Sequence, residues 1–218
     1  MIHLLYYLHL RLREQKVNSE DEYFYKELII QTINDVYKKL DIQSFDGGLL
    51  YGMDYELPLF LFVLSNIYNS GFYNTRITRI LEELSTKIFS TIPILHSNKL
   101  FLLWGMNSIQ TQISITEWKK HMQLLRKELD INHIVDVELK NKNVFFNNGI
   151  TSIFMLVSAL QDSYFTEEEI TLFKKKVIKK IDDSHIWNFM LNDSDYFKSF
   201  KGLFNGFCGT FLFLNIFQ

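Results

Sequence analysis

Apolar and polar positions alternate along this chain on the scale of whole helices. From Glu20 to Leu40 the apolar residues Leu28, Ile29, Ile33, Val36 and Leu40 recur at helical spacing, with Lys and Asp between them. That pattern predicts an amphipathic helix with one wet face. The run Leu57-Pro58-Leu59-Phe60-Leu61-Phe62-Val63-Leu64 is apolar all round. It predicts a helix buried on every side, capped at Asp54 and ending near Asn69. Pro58 falls in its first turn, where backbone N–H groups lack intrahelical partners. The alternation then continues. Asn74 to Ser90 is amphipathic, with Arg76, Arg79, Glu82, Glu83 and Lys87 on its polar face. Leu100 to about Ile113 is apolar, Thr116 to Leu129 polar on one face, Gly149 to Leu160 apolar, Thr166 to Ile181 charged, and Gly206 to Phe217 apolar. Thr116 with Glu117 marks a helix start, and Thr166-Glu167-Glu168-Glu169 has capping-box character.

A glycine opens the apolar stretches: Leu50-Tyr51-Gly52-Met53, Leu103-Trp104-Gly105-Met106, Asn147-Asn148-Gly149-Ile150 and Phe204-Asn205-Gly206-Phe207. Recurrence on a scale of about 50 residues is the signature of a repeat architecture, each unit burying its face against its neighbours. Wet helices alternating with buried ones predict two concentric layers, with the inner N-termini emerging on one side. The expected fold is all-α: a partial α/α toroid of about four helical hairpins, forming a single domain over residues 1–218. An irregular bundle whose glycines merely end loops is the plainer alternative. The loop Asp41 to Met53 carries Gly47-Gly48, which allows backbone angles that other residues avoid.

Composition narrows the class. The chain has 218 residues, 47% hydrophobic and 16% aromatic, with only 2 prolines, which favours long helices around a sizeable core. Its 23 basic and 25 acidic residues give a net charge of -2, so no strong field points to nucleic acid or an anionic membrane. A lone cysteine, Cys208, excludes an intramolecular disulfide framework and fits a reducing compartment. The apolar N-terminus lacks a preceding basic region and a small-residue cleavage site, so it does not read as a signal sequence. Leu57–Leu64 and Phe207–Phe217 fall short of the roughly 20 residues needed to span a bilayer. A soluble, cytoplasmic protein is expected.

The glycine segments resemble the inner-helix openings of the lanthionine synthetase C-like family, whose repeats carry Gly-Leu-x-x-Gly-x-Ala-Gly-Ile before an apolar helix. Gly202-Leu203-Phe204-Asn205-Gly206-Phe207-Cys208-Gly209-Thr210-Phe211 matches three of its glycine positions, and Gly48-Leu49-Leu50-Tyr51-Gly52 matches two. Gly52 to Leu84, including Asn69-Ser70-Gly71-Phe72 and Ile80-Leu81-Glu82-Glu83, is similar to family repeats in length and rhythm. The resemblance implies an α/α toroid. In the family its centre holds a zinc that activates precursor-peptide thiolates for addition to dehydrated serine or threonine. Two of the family's zinc ligands lie in a Cys-His-Gly motif on the repeat's second glycine. Leu50-Tyr51, Leu103-Trp104, Asn147-Asn148 and Phe204-Asn205 stand at those positions here, and none can serve as a zinc site. Cys208 stands at the motif's alanine position. The resemblance therefore implies a shortened relative without the zinc chemistry. The exposed apolar edges of its incomplete ring would favour self-association or docking on a partner.

The individual candidates have bland readings beside sharp ones. His3, His9, His96, His121, His133 and His185 include no helical i, i+4 pair and no His-Glu-x-x-His pattern, so no metal site or cofactor is expected. Cys208 reads as a small buried hydrophobe. Asp46, Asp54 and Glu56 cluster before the first inner helix. Paired carboxylates would suit glycoside hydrolysis, while Asp54 and Glu56 also suit a helix N-terminus. Asn147, Asn148 and Asn205 precede motif glycines and would gather at the toroid mouth with Asp46, Tyr51 and Trp104 as a binding rim. Asn is equally a turn residue, and the aromatics could equally be core. The functional expectation is a non-catalytic protein that binds a peptide or protein partner, with peptide modification as its setting. The alternatives are a carboxylate-dependent glycoside hydrolase-like enzyme or an oligomeric helical scaffold.

Overall fold

A computed structural model describes residues 2–13, 19–42, 56–90, 92–110, 116–139 and 149–183. Helices dominate these residues, and no named strand occurs among them; Gln161 and Phe165 form an isolated bridge. The helices are α1 (Ile2–Arg13), α2 (Ser19–Ile42), α3 (Glu56–Asn69), α4 (Asn74–Phe89), α5 (His96–Ile109), α6 (Thr116–Lys127), a short α7 (Ile131–His133), α8 (Ile150–Ala159) and α9 (Glu167–Asp183). A π-helical turn, Ile134–Glu138, continues α7. The chain divides into two compact units. Unit 1 comprises Met1–Ile94 and Phe101–Glu128, and unit 2 comprises Leu95–Leu100 and Leu129–Gln218.

In unit 1, α1 packs on α2 and α3, α3 on α4, and α4 on α6. The stripe predicted for α2 is buried through Ile29, Ile33, Val36 and Leu40, while Leu28 at its edge is half-buried. Along α3, Leu57, Phe60, Leu61, Val63, Leu64 and Ile67 are fully buried, while Leu59 and Phe62 of the same run are half-buried, so the helix is not covered on every side. Burying side chains of this size contributes about 1.5–3 kcal/mol each. Gly71 ends the α3 turn at φ 78°, a conformation that suits a residue without a Cβ, and its N–H reaches Tyr68 O at 2.9 Å. The polar face of α4 does more than meet solvent. Tyr37 of α2 donates to Glu83, which also accepts from Arg79 Nε at 2.9 Å. Arg76 reaches Asn34 Oδ1 at 3.2 Å and lies over the Tyr37 ring at 5.8 Å, a cation–π distance. On α6, Trp118 is buried and donates from its indole nitrogen to Met106 O at 3.1 Å.

The glycine expectation needs correction at one position. Gly105 does not open a helix but lies inside α5, which starts at His96 instead of Leu100 and ends at Ile109 instead of Ile113. Its role is steric: a Cβ there would meet Pro58 Cα at 2.6 Å and Pro58 O at 2.8 Å. Gly149 does open its helix, as the residue before α8. Gly52 and Gly206 lie outside the described residues.

In unit 2, α8 packs on α9, with Phe154 and Phe173 stacked at 6.2 Å. Ile170, Phe173, Val177 and Ile181 form the buried face of α9. The predicted capping box is present: Glu169 N–H donates to Thr166 Oγ1 at 3.2 Å, and Thr166 N–H donates to Glu169 Oε2 at 2.9 Å. Asp130 caps α7 by accepting from Asn132 and His133 N–H at 2.8 and 3.1 Å.

Candidate functional site

A cleft of about 930 Å³ lies in unit 1, where the C-terminal end of α1, the start of α2 and the α3–α4 turn come together. Helical spacing supplies its charges. His9 and Arg13 sit one turn apart on α1, and Glu22 and Lys26 one turn apart on α2. Glu22 and Lys26 pair with each other. The far wall is polar backbone and amide: Asn66, Asn69, Ser70 and Gly71, with the Phe72 ring beside them.

These groups are hydrogen-bonding and charged. Asn66 Nδ2 donates to Phe62 O at 2.8 Å, which leaves its carbonyl oxygen as an acceptor. Ser70, the hydroxyl-bearing residue among those lining the cleft, donates to Ile67 O at 2.6 Å and so is engaged within its own helix end. Burial first, and the Arg13 charge second, hold the His9 imidazole below its ordinary pKa of 6.5, so the ring is neutral at physiological pH. Arg13 and Lys26 against Glu22 leave the cleft with an excess of positive charge. Arg13 presents a planar fork matched to a carboxylate.

Unit 2 holds a second constellation. His96, His133 and Glu138 each offer a ligand atom, and these atoms lie within 4.8 Å of one another. The two imidazole centroids are 4.8 Å apart at 56°. Glu138 accepts from the N–H groups of His96 and Ser97 at 2.6 and 2.8 Å and thereby caps α5. This is the set of described residues that could hold a metal.

Of the rim residues expected from the sequence, Trp104 is half-buried and stacks on Phe62 at 5.1 Å and 22°, in an aromatic row that continues to Tyr6. It is not among the residues that line the cleft. Asp46, Tyr51, Asn147, Asn148 and Asn205 lie outside the described residues, as do Asp54 and Cys208; Glu56 is the first residue of α3. The cleft residues were missed by sequence reasoning, although the i, i+4 pairs on α1 and α2 were available as a signal. His96 and His133 escaped the spacing test because they come from separate segments. No helix among the described residues is long and apolar enough to cross a membrane. Compared with protein-family models, curated proteins and solved structures, the chain has no match.

Proposed function

We propose that this chain is a non-catalytic, lanthionine synthetase C-like helical protein that binds a peptide partner in the unit 1 cleft. The observation that carries the reading is the cleft itself: cationic Arg13 and Lys26 beside amide and hydroxyl groups, with Ser70 already engaged by Ile67 O. Such a lining suits an extended peptide. Its backbone would meet Asn66 and Asn69, and an acidic side chain or terminal carboxylate would meet Arg13. The finer arrangement we infer is an arc of helical hairpins in the manner of a partial α/α toroid. Pairing of consecutive helices, α1 with α2, α3 with α4 and α8 with α9, supports it. So does the alternation of apolar α3 and α8 with amphipathic α4 and α9.

The test is fluorescence polarisation with labelled hexapeptides in acidic, neutral and basic sets. Acidic peptides are expected to bind best, and Arg13→Glu to weaken them by about tenfold or more, since a charge-assisted contact contributes roughly 1.5–3 kcal/mol. Equal affinity for the three sets, or an Arg13→Glu variant that binds as the parent does, rejects the cleft as the peptide site.

A further inference from the structure

The group in unit 2 has a donor set that the peptide-binding reading does not use. Imidazole nitrogens with one carboxylate suit zinc and its first-row neighbours. Magnesium and calcium prefer oxygen throughout. In a tetrahedral zinc site with bonds near 2.1 Å, donors stand about 3.4 Å apart. The three atoms here all lie within 4.8 Å of one another, so a shift of about 1.4 Å or less per pair brings them to that separation.

Backbone geometry explains why they meet. His133 and Glu138 are five positions apart, which in an α-helix turns them about 140° from one another. The segment between them is instead a π turn, closed by the Leu139 N–H bond to Ile134 O at 2.8 Å. Its wider ring brings residues five apart toward a common side, and π turns of this kind concentrate at functional sites. His96 then arrives from the first turn of α5. Glu138 is oriented by two backbone N–H donors, and each carboxylate oxygen retains a second lone pair. His96 Nδ1 accepts from Asp130 N–H at 3.0 Å, so its lone pair points at a single donor. A metal replaces that donor at an exposed position. The neighbouring Asp136 is held by Lys176 at 2.6 Å and Lys180 at 3.7 Å, and stays outside the set.

We propose that His96, His133 and Glu138 form a three-donor site for a divalent transition metal, with zinc the best match and a fourth position left for water. Its three residues are not those that stand at the family's Cys-His-Gly motif positions, and it does not depend on the cleft. Bound zinc would clasp the first turn of α5 to the π turn that already caps it.

The experiment titrates zinc alone into chelator-treated full-length protein by calorimetry, with cobalt substitution read by visible absorption. One zinc per chain is expected, together with a tetrahedral cobalt spectrum and a melting temperature that rises with zinc. Glu138 also caps α5, so the deciding variant is His133→Ala, which leaves that cap in place. It is expected to weaken zinc by about 100-fold or more, beyond the loss typical of outer-shell partners. His96→Ala must behave in the same way, with helical content by circular dichroism matching the parent. Absence of saturable uptake by the parent overturns the proposal. So does uptake that is undiminished in folded His133→Ala.

Discussion

His121 packs on the Phe89 ring at 5.3 Å, and its Nε2 is buried with no hydrogen-bond partner among the described residues. Burial holds its pKa below the ordinary 6.5, against a smaller opposing pull from Glu128. His9 is shifted in the same direction. The unfolded chain therefore takes up protons near pH 6.5 that the folded chain refuses. The stability linked to both histidines is full above that pH and is lost as pH falls through their lowered folded values. Thermal melts should give a lower midpoint at about pH 5.5 than at about 7.5, and His121→Leu should flatten the difference. An unchanged pH slope in that variant would show that His121 does not contribute. Sequence alone leaves each of the two histidines a surface or an interior hydrogen-bonding residue, without deciding between these. Their burial depends on neighbours supplied by other helices, which for His121 means Phe89 at the end of α4. Similarly, Arg13 and Lys26 read as ordinary helix-face cations until α1, α2 and the α3–α4 turn converge on them.

At the scale of elements, the contact between α3 and α5 is set by Gly105. Alanine is the better helix former by about 1 kcal/mol, yet its Cβ would fall 2.6 Å from Pro58 Cα, against backbone that cannot rotate aside. Overpacking of this kind typically costs about 1–3 kcal/mol, so steric conflict outweighs propensity. Gly105→Ala is expected to lower the urea midpoint; a midpoint equal to or above the parent's would refute the close approach. Elements specified by nearby residues were legible in the sequence. The α2 stripe, the apolar run Leu57–Leu64 of α3 and the Thr166–Glu169 box all follow from residues within a few turns. The start of α5 was not legible. His96-Ser97-Asn98-Lys99 reads as polar loop, and the group that caps it, Glu138, is some 40 residues away. The π turn was hidden for a related reason. Its sequence, IVDVE, carries no Pro or Gly to announce a departure from α-helical pitch.

For the molecule as a whole, the exposed aromatics of unit 1 bear on self-association. Tyr23 and Phe24 on α2 are 71% and 62% exposed, and Tyr7 on α1 is 56% exposed. Rings this open are what a self-associating surface would use. We predict a mass by light scattering above the 26.0 kDa of one chain, falling toward it for Tyr23→Ser with Phe24→Ser. A concentration-independent monomer would refute self-association and leave the peptide cleft standing. The chain's path has a different implication for anyone who would dissect it. Residues Leu95–Leu100 belong to unit 2, although the stretches on both sides belong to unit 1. No single cut can then release either unit intact. A fragment beginning at Leu129 would retain His133 and Glu138 but lose His96. Its Glu138 carboxylate would be left without the two backbone amides that now hold it.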